Sequence, residues 1–129
     1  MRLLLDTKVF LWYISDDVRL PESTRTMIAD KRNQVYLSSC SIWETVVKQS
    51  LGKIVLPKNA GEYLEGQRIK HQISPLPLHD TCLKHLYKLP LIHNDPIDRI
   101  LICQAIEESL TIITADYHIT KYKVQTISV

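Results

Sequence analysis

The chain predicts an α/β fold built on a mostly parallel sheet, and three features carry that prediction. Short apolar runs alternate with stretches of helical length from Arg2 to Ile127. The run Leu110–Thr114 (LTIIT) is of the type buried on both faces of a parallel sheet. The 129 residues, 45% hydrophobic and 23% charged, suit one compact domain without disulfide staples. No low-complexity tract, internal repeat or linker divides it.

Arg2–Leu5 is the first strand, ending at Asp6. Val9–Ile14 (VFLWYI) follows as a helix apolar all the way round, which predicts cover on every side. Pro21, tolerated in a first turn, opens a helix to about Lys31. Gln34–Leu37 is the second strand, and Ser41–Leu51 a helix stopped by Gly52. Residues 60–70 are helical. Ile73–Leu78 is a strand that Pro75 and Pro77 push to a sheet edge. Asp80–Leu89 reads as a helix ending at Pro90, and Asp95-Pro96 opens another to about Ser109. Leu110–Thr114 and Val124–Ile127 complete the strands.

In an open parallel sheet, ligands gather beyond the carboxyl ends of the strands, so acids there take first place. Asp6 follows the first strand, Asp116 follows LTIIT, Glu44 lies early in the helix after the second strand, and Asp95 and Asp98 open a helix. Each has a structural explanation. Ser41-x-x-Glu44 fits a capping box, Asp95 before Pro96 is a typical N-cap, Asp98 favours the helix dipole, and Asp6 and Asp116 suit caps of a helix and a turn. Together, several carboxylates around one cleft repel one another unless some are protonated or a cation is present. An all-oxygen donor set suits Mg²⁺ or Mn²⁺ better than zinc.

Other features exclude more than they assign. The net charge of +2 names no partner; with four of the 14 carboxylates set aside as metal ligands, 16 bases face 10 acids, a +6 balance that attracts a polyanion. Cys40, Cys82 and Cys103 are odd in number and lack C-x-x-C spacing, so reduced thiols in a cytoplasmic protein are expected, with Cys40 in the core. His71, His79, His85, His93 and His118 show no ligand spacing and read as surface or packing residues. No apolar run approaches the roughly 20 residues that span a bilayer, and the N-terminal stretch, cut by Asp6 and Lys8, makes a poor signal peptide. Trp12, Trp43 and Tyr13 read first as core and second as a groove or dimer face.

Four blocks, LLLDTKVFLW, SSCSIWETVVKQSLGKIVLP, PLIHNDPIDRILICQA and LTIITADYHITKY, resemble in order and spacing the PIN domain, in particular the VapC-type toxins of toxin–antitoxin pairs. The likeness runs from Arg2 to about Ile127. It implies about five parallel strands flanked by helices, Mg²⁺- or Mn²⁺-dependent cleavage of RNA, a homodimer, and a cognate antitoxin. The family's acidic positions match Asp6, Glu44, Asp98 and Asp116, expected as metal ligands and catalytic residues. Asp95 matches the first acid of D-P-x-D-R, expected to cap or to support a ligand. Thr7 and Thr114 are expected to orient ligands or water, and Lys8 and Arg99 to meet phosphate. Relatives commonly read D-T-H where this chain has Asp6-Thr7-Lys8, so a histidine at that position plays no part here. The competing readings are a nuclease acting on DNA, a phosphatase, and a non-enzymatic binding module whose acids only cap helices. Substrate assays separate the first two, and Mn²⁺ uptake separates the last.

Overall fold

The computed structural model describes all residues, Met1–Val129. Five parallel strands form one sheet: β1 (Arg2–Leu5), β2 (Gln34–Ser38), β3 (Ser74–Leu76), β4 (Thr111–Thr114) and β5 (Thr126–Ser128), in the order β3-β2-β1-β4-β5. The helices are α1 (Thr7–Ile14), α2 (Glu22–Ala29), α3 (Ser39–Ser50), α4 (Ala60–Lys70), α5 (Asp80–Leu83) and α6 (Pro96–Glu108).

β1 is central because Leu3, Leu4 and Leu5 are all fully buried, which requires cover on both faces. Alternation along the strand divides the core. Leu3 and Leu5 join Val35, Leu37 and Ile113 with Val9, Phe10, Ile28 and Leu64 on one face. Leu4 joins Ile112 with Ile97, Leu101, Ile102 and Ala105 of α6 on the other. Pro75 sits on the edge strand β3, whose one neighbour is β2, where a missing N–H breaks no inner ladder. Gly52, at φ 70, follows α3 in the left-handed conformation that stops a helix cheaply.

Several predicted elements differ in detail. α3 starts at Ser39, because the Ser38 hydroxyl accepts from the Cys40 N–H at 3.1 Å and caps it. The capping box on Ser41 and Glu44 does not form: Ser41 already lies inside the helix, and its buried hydroxyl has no partner. α1 starts at Thr7, capped by Asp6. It is covered on one side only, with Val9 and Phe10 buried and Leu11 to Ile14 half-buried, so the uniform apolar run does not mean uniform cover. The expected helix 80–89 is one turn of α5 followed by a 3₁₀ turn at Leu86–Lys88; Cys82 is its one buried residue, too little apolar anchor to hold a longer helix. β5 begins two residues later than predicted. Trp43 is 60% exposed and does not belong to the core.

Candidate active site

From β1 the chain steps outward one way to β2 and β3 and the other way to β4 and β5, so the topological switch lies between β1 and β4. Asp6 ends β1, and Asp116 lies two residues beyond β4. α3, after β2, delivers Glu44, and α6 delivers Asp98 from its first turn. These four acids meet in a cleft of about 200 Å³ lined also by Thr7, Lys8, Leu11, Lys48, Asp95 and Ala115. Five carboxylates thus face two lysines.

Asp6 is 5% exposed and held on both oxygens: Oδ1 accepts from the Val9 N–H at 2.7 Å and Oδ2 from the Ala115 N–H at 3.0 Å. Its burial nevertheless raises its pKa, outweighing bonds from Thr114, Val9 and Ala115. Asp98 is pushed up to about 7, first by burial, then by the charges of Asp95 and Asp6, with His93 pulling the other way. Two acids of one cleft therefore resist ionisation, Asp6 through burial and Asp98 through burial and the neighbouring carboxylates. Asp95 is the N-cap of α6, its Oδ1 accepting from the Ile97 and Asp98 N–H groups at 2.9 and 3.2 Å. The Glu44 carboxylate lies 3.5 Å from the Lys48 ammonium one helical turn on. Thr7 lines the cleft, and its hydroxyl is buried without a partner. Thr114 stands behind it, its hydroxyl accepting from the Asp116 N–H at 2.9 Å.

Histidine enters the site where surface or packing residues were expected. His93 Nε2 lies 2.9 Å from Asp98 Oδ2 and 2.8 Å from Asp116 Oδ2, between the two acids. Burial disfavours its charged form, but the bonds to Asp116 and then Asp98 prevail and raise its pKa. His118 Nδ1 lies 3.1 Å from Asp116 Oδ1, which also accepts the His118 N–H at 2.8 Å. Burial of Asp116 favours its neutral form, and the contacts from His118 and His93 outweigh this to lower its pKa. No local spacing announces these contacts, since His93 and Asp116 are 23 residues apart. The motif HNDPID did place His93 five residues before Asp98, close enough to have been weighed.

Arg99 is not at the cleft. Its guanidinium donates to the Pro90 carbonyl at 3.0 Å and the Tyr122 hydroxyl at 3.2 Å, with longer contacts to the Leu86 and His93 carbonyls. The phosphate contact expected of it gives way to a bracing role, because four protein oxygens engage the fork. The Tyr122 hydroxyl accepts the His93 N–H at 2.9 Å and donates to the Pro90 carbonyl at 2.9 Å, so the same network fixes the segment that carries His93. Lys48, which the sequence reading passed over, lines the cleft beside Lys8. Cys40 is half-buried rather than core, and burial raises its thiol pKa. The three cysteines are free.

The donor set is oxygen-rich, convergent and short of positive charge, and a hard divalent ion fits it. Thr7, whose buried hydroxyl has no partner, lines the same cleft.

Comparison with known proteins bears on the family and the fold. The PIN domain model matches residues 3–125. Ribonuclease VapC16 of Mycobacterium tuberculosis (strain ATCC 25618 / H37Rv) is 31% identical over 62 residues, which is 48% of this chain and 44% of that protein. The match thus spans less than half of that relative's length. Among solved structures, VapBC2 from Rickettsia felis bound to a DNA fragment from the promoter gives a TM-score of 0.71 at 15% identity, covering 100% of this chain and 99% of the other. VapBC-1 from nontypeable Haemophilus influenzae gives 0.59 at 16% identity, covering 99% and 98%. At such identities the likeness is one of fold.

Proposed function

We propose that this chain, which belongs to the PIN domain family, is a divalent-metal-dependent endoribonuclease, the toxin of a toxin–antitoxin pair. The observation that carries the reading is the cleft that joins Asp6, Glu44, Asp98 and Asp116 from four separate elements. The partial match to a ribonuclease of the VapC type favours RNA over DNA as substrate.

Asp6, Asp98 and Asp116 would hold the principal ion, Mg²⁺ or Mn²⁺, and Glu44 would complete a second position or orient the attacking water. A bound ion neutralises phosphate charge and makes water easier to deprotonate. The protein's part is positioning. The Asp6 carboxylate is fixed by two backbone N–H groups, Asp95 anchors the turn that presents Asp98, and Thr114 fixes the Asp116 backbone. Lys8 and Lys48 face the cleft and meet the phosphodiester as fixed positive charge. The oxygen of water attacks phosphorus as that water gives up a proton to solvent, the P–O3′ bond breaks, and the departing O3′ takes up a proton from solvent. Products carry 5′-phosphate and 3′-hydroxyl ends, because water and not the RNA's own 2′-hydroxyl is the nucleophile.

Stripping metal with EDTA is expected to abolish cleavage of RNA by the purified chain, and added Mg²⁺ or Mn²⁺ to restore it. Mapping the product ends checks the nucleophile. Full activity in EDTA, or 2′,3′-cyclic phosphate ends, contradicts the proposal.

For partners, we infer a homodimer that receives an antitoxin segment in an apolar groove. A groove of about 280 Å³ beside the cleft is lined by Leu11, Trp12, Ile14, Ile54, Val55 and Leu56, and Val55 is 93% exposed. VapBC assemblies among the fold neighbours support a bound partner of this kind. Sedimentation at micromolar concentration is expected to show a dimer, and a monomer contradicts it. No helix is long and apolar enough to cross a membrane.

A further inference from the structure

The carboxylate cleft has a nitrogen-rich flank whose chemistry differs from its oxygen donors. His93 Nε2, a carboxylate oxygen of Asp116 and His118 Nδ1 all lie within 4.8 Å of one another. The two imidazole rings are 5.1 Å apart between centroids and tilted by 33°, with the Asp116 carboxylate reaching both. We propose that His93, Asp116 and His118 form a second site, sharing Asp116 with the oxygen site for Mg²⁺ or Mn²⁺, for a borderline transition ion, Zn²⁺ above all.

The donor types set the preference. Two imidazoles and one carboxylate form a set that zinc accepts with water as its fourth ligand, whereas Mg²⁺ favours oxygen throughout. The spacing is close to what an ion requires. Donors about 2.0 Å from a tetrahedral ion lie about 3.3 Å from each other. His93 Nε2 meets Asp116 Oδ2 at 2.8 Å and His118 Nδ1 meets Asp116 Oδ1 at 3.1 Å, so the carboxylate already bridges the two rings through its two oxygens, and an ion between them displaces these contacts and that of His93 with Asp98 Oδ2 at 2.9 Å. The two imidazole nitrogens must close on each other. His118, with a side chain 58% exposed, has the freedom to make that movement. His93 is the anchored partner, held from behind by the Tyr122 hydroxyl on its backbone N–H.

Asp116 is common to both sites. An ion on the two histidines draws that carboxylate away from the oxygen site, so Zn²⁺ is expected to inhibit at Mg²⁺ concentrations that support cleavage. The inhibition rests on the nuclease reading, but the binding site does not.

Cobalt(II) serves as the spectroscopic probe, titrated into EDTA-stripped protein with Mg²⁺ in excess. The wild type is expected to develop visible absorption bands of four-coordinate, nitrogen-ligated Co²⁺ that saturate at one equivalent and are displaced by Zn²⁺. His118→Ala, a change at an exposed side chain, is expected to weaken uptake by about tenfold or more, the scale on which metal sites respond to loss of support. Glu44→Gln, which alters only the oxygen site, is expected to keep the bands. Unchanged Co²⁺ bands in His118→Ala, or bands lost in Glu44→Gln, overturn the proposal by placing the ion among the oxygens. Absence of bands in the wild type overturns it too. None of these readings requires cleavage, so they stand or fall apart from the nuclease assay.

Discussion

Asp98→Asn is expected to lower RNA cleavage by about a thousandfold or more while leaving the fold intact. Loss of a group that merely supports a metal ligand commonly costs about 10- to 100-fold, and loss of a ligand itself exceeds that. The asparagine keeps the shape of the carboxylate at the start of α6 and removes its charge. That charge is opposed by burial and by the charges of Asp95 and Asp6. The metal-free variant should therefore melt no lower than the metal-free wild type. Asp6→Asn is expected to lose cleavage equally but also to melt lower. Both Asp6 oxygens accept backbone N–H groups, from Val9 and Ala115, and a side-chain amide has one accepting oxygen. Measuring activity and thermal denaturation together separates a loss of chemistry from a loss of fold. Near wild-type cleavage by Asp98→Asn contradicts the role given to that carboxylate.

The second large effect is a reversal of pH dependence on metal binding. Asp98 titrates at about 7 in the folded metal-free protein against an ordinary 3.8, and Asp6 is raised as well. Between about pH 4 and 7 the folded chain holds protons that the unfolded chain has released, so stability falls as pH rises. His93 acts in the same sense: its raised pKa gives stability present below the ordinary 6.5 and lost as pH climbs through the folded value. Asp116 is lowered, and its contribution is lost only as pH falls through the acid range, outside this window. Discounted for the partial exposure of Asp98, its share is on the order of 2 kcal/mol. That corresponds to about 7 °C in Tm for a domain of this size. With saturating Mn²⁺ the trend reverses, because ligands must be deprotonated to bind and binding stabilises the folded state. Melting curves at pH 5 and 7.5, with EDTA and with Mn²⁺, check this. A metal-free protein more stable at pH 7.5 than at pH 5 contradicts it.

Much of this molecule follows from local pattern. LLL before Asp6 and TIIT before Asp116 are runs that only a strand buried on both faces can satisfy, and each delivers its acid to the same edge of the sheet. Pro75 assigned the edge strand through the missing ladder donor, and Pro77 lies just beyond the strand's end at Leu76. Asp95 capping α6 is equally local. What escaped the sequence is non-local or a matter of one residue's choice. Ser38 and Ser41 are both able to cap α3, and the end of β2 selects Ser38, which leaves Glu44 free to face the cleft. His93 meets Asp116 because residues 86–93 are tied down by Arg99 and Tyr122, contacts between segments far apart in the chain. Arg99 beside Asp98 in D-P-I-D-R looked placed for phosphate, yet adjacent positions on a helix point about 100° apart, and Arg99 turns to the loop. Lys48 was legible as the i+4 partner of Glu44.

Calorimetric titration of Mn²⁺ into EDTA-stripped protein at neutral pH addresses the heart of the account, that carboxylates from four elements share one cation. Wild-type protein should take up Mn²⁺ in a saturable step that Asp98→Asn weakens by about tenfold or more. No uptake by the folded wild type, or equal uptake by Asp98→Asn, means that the acids serve as caps and counter-charges alone.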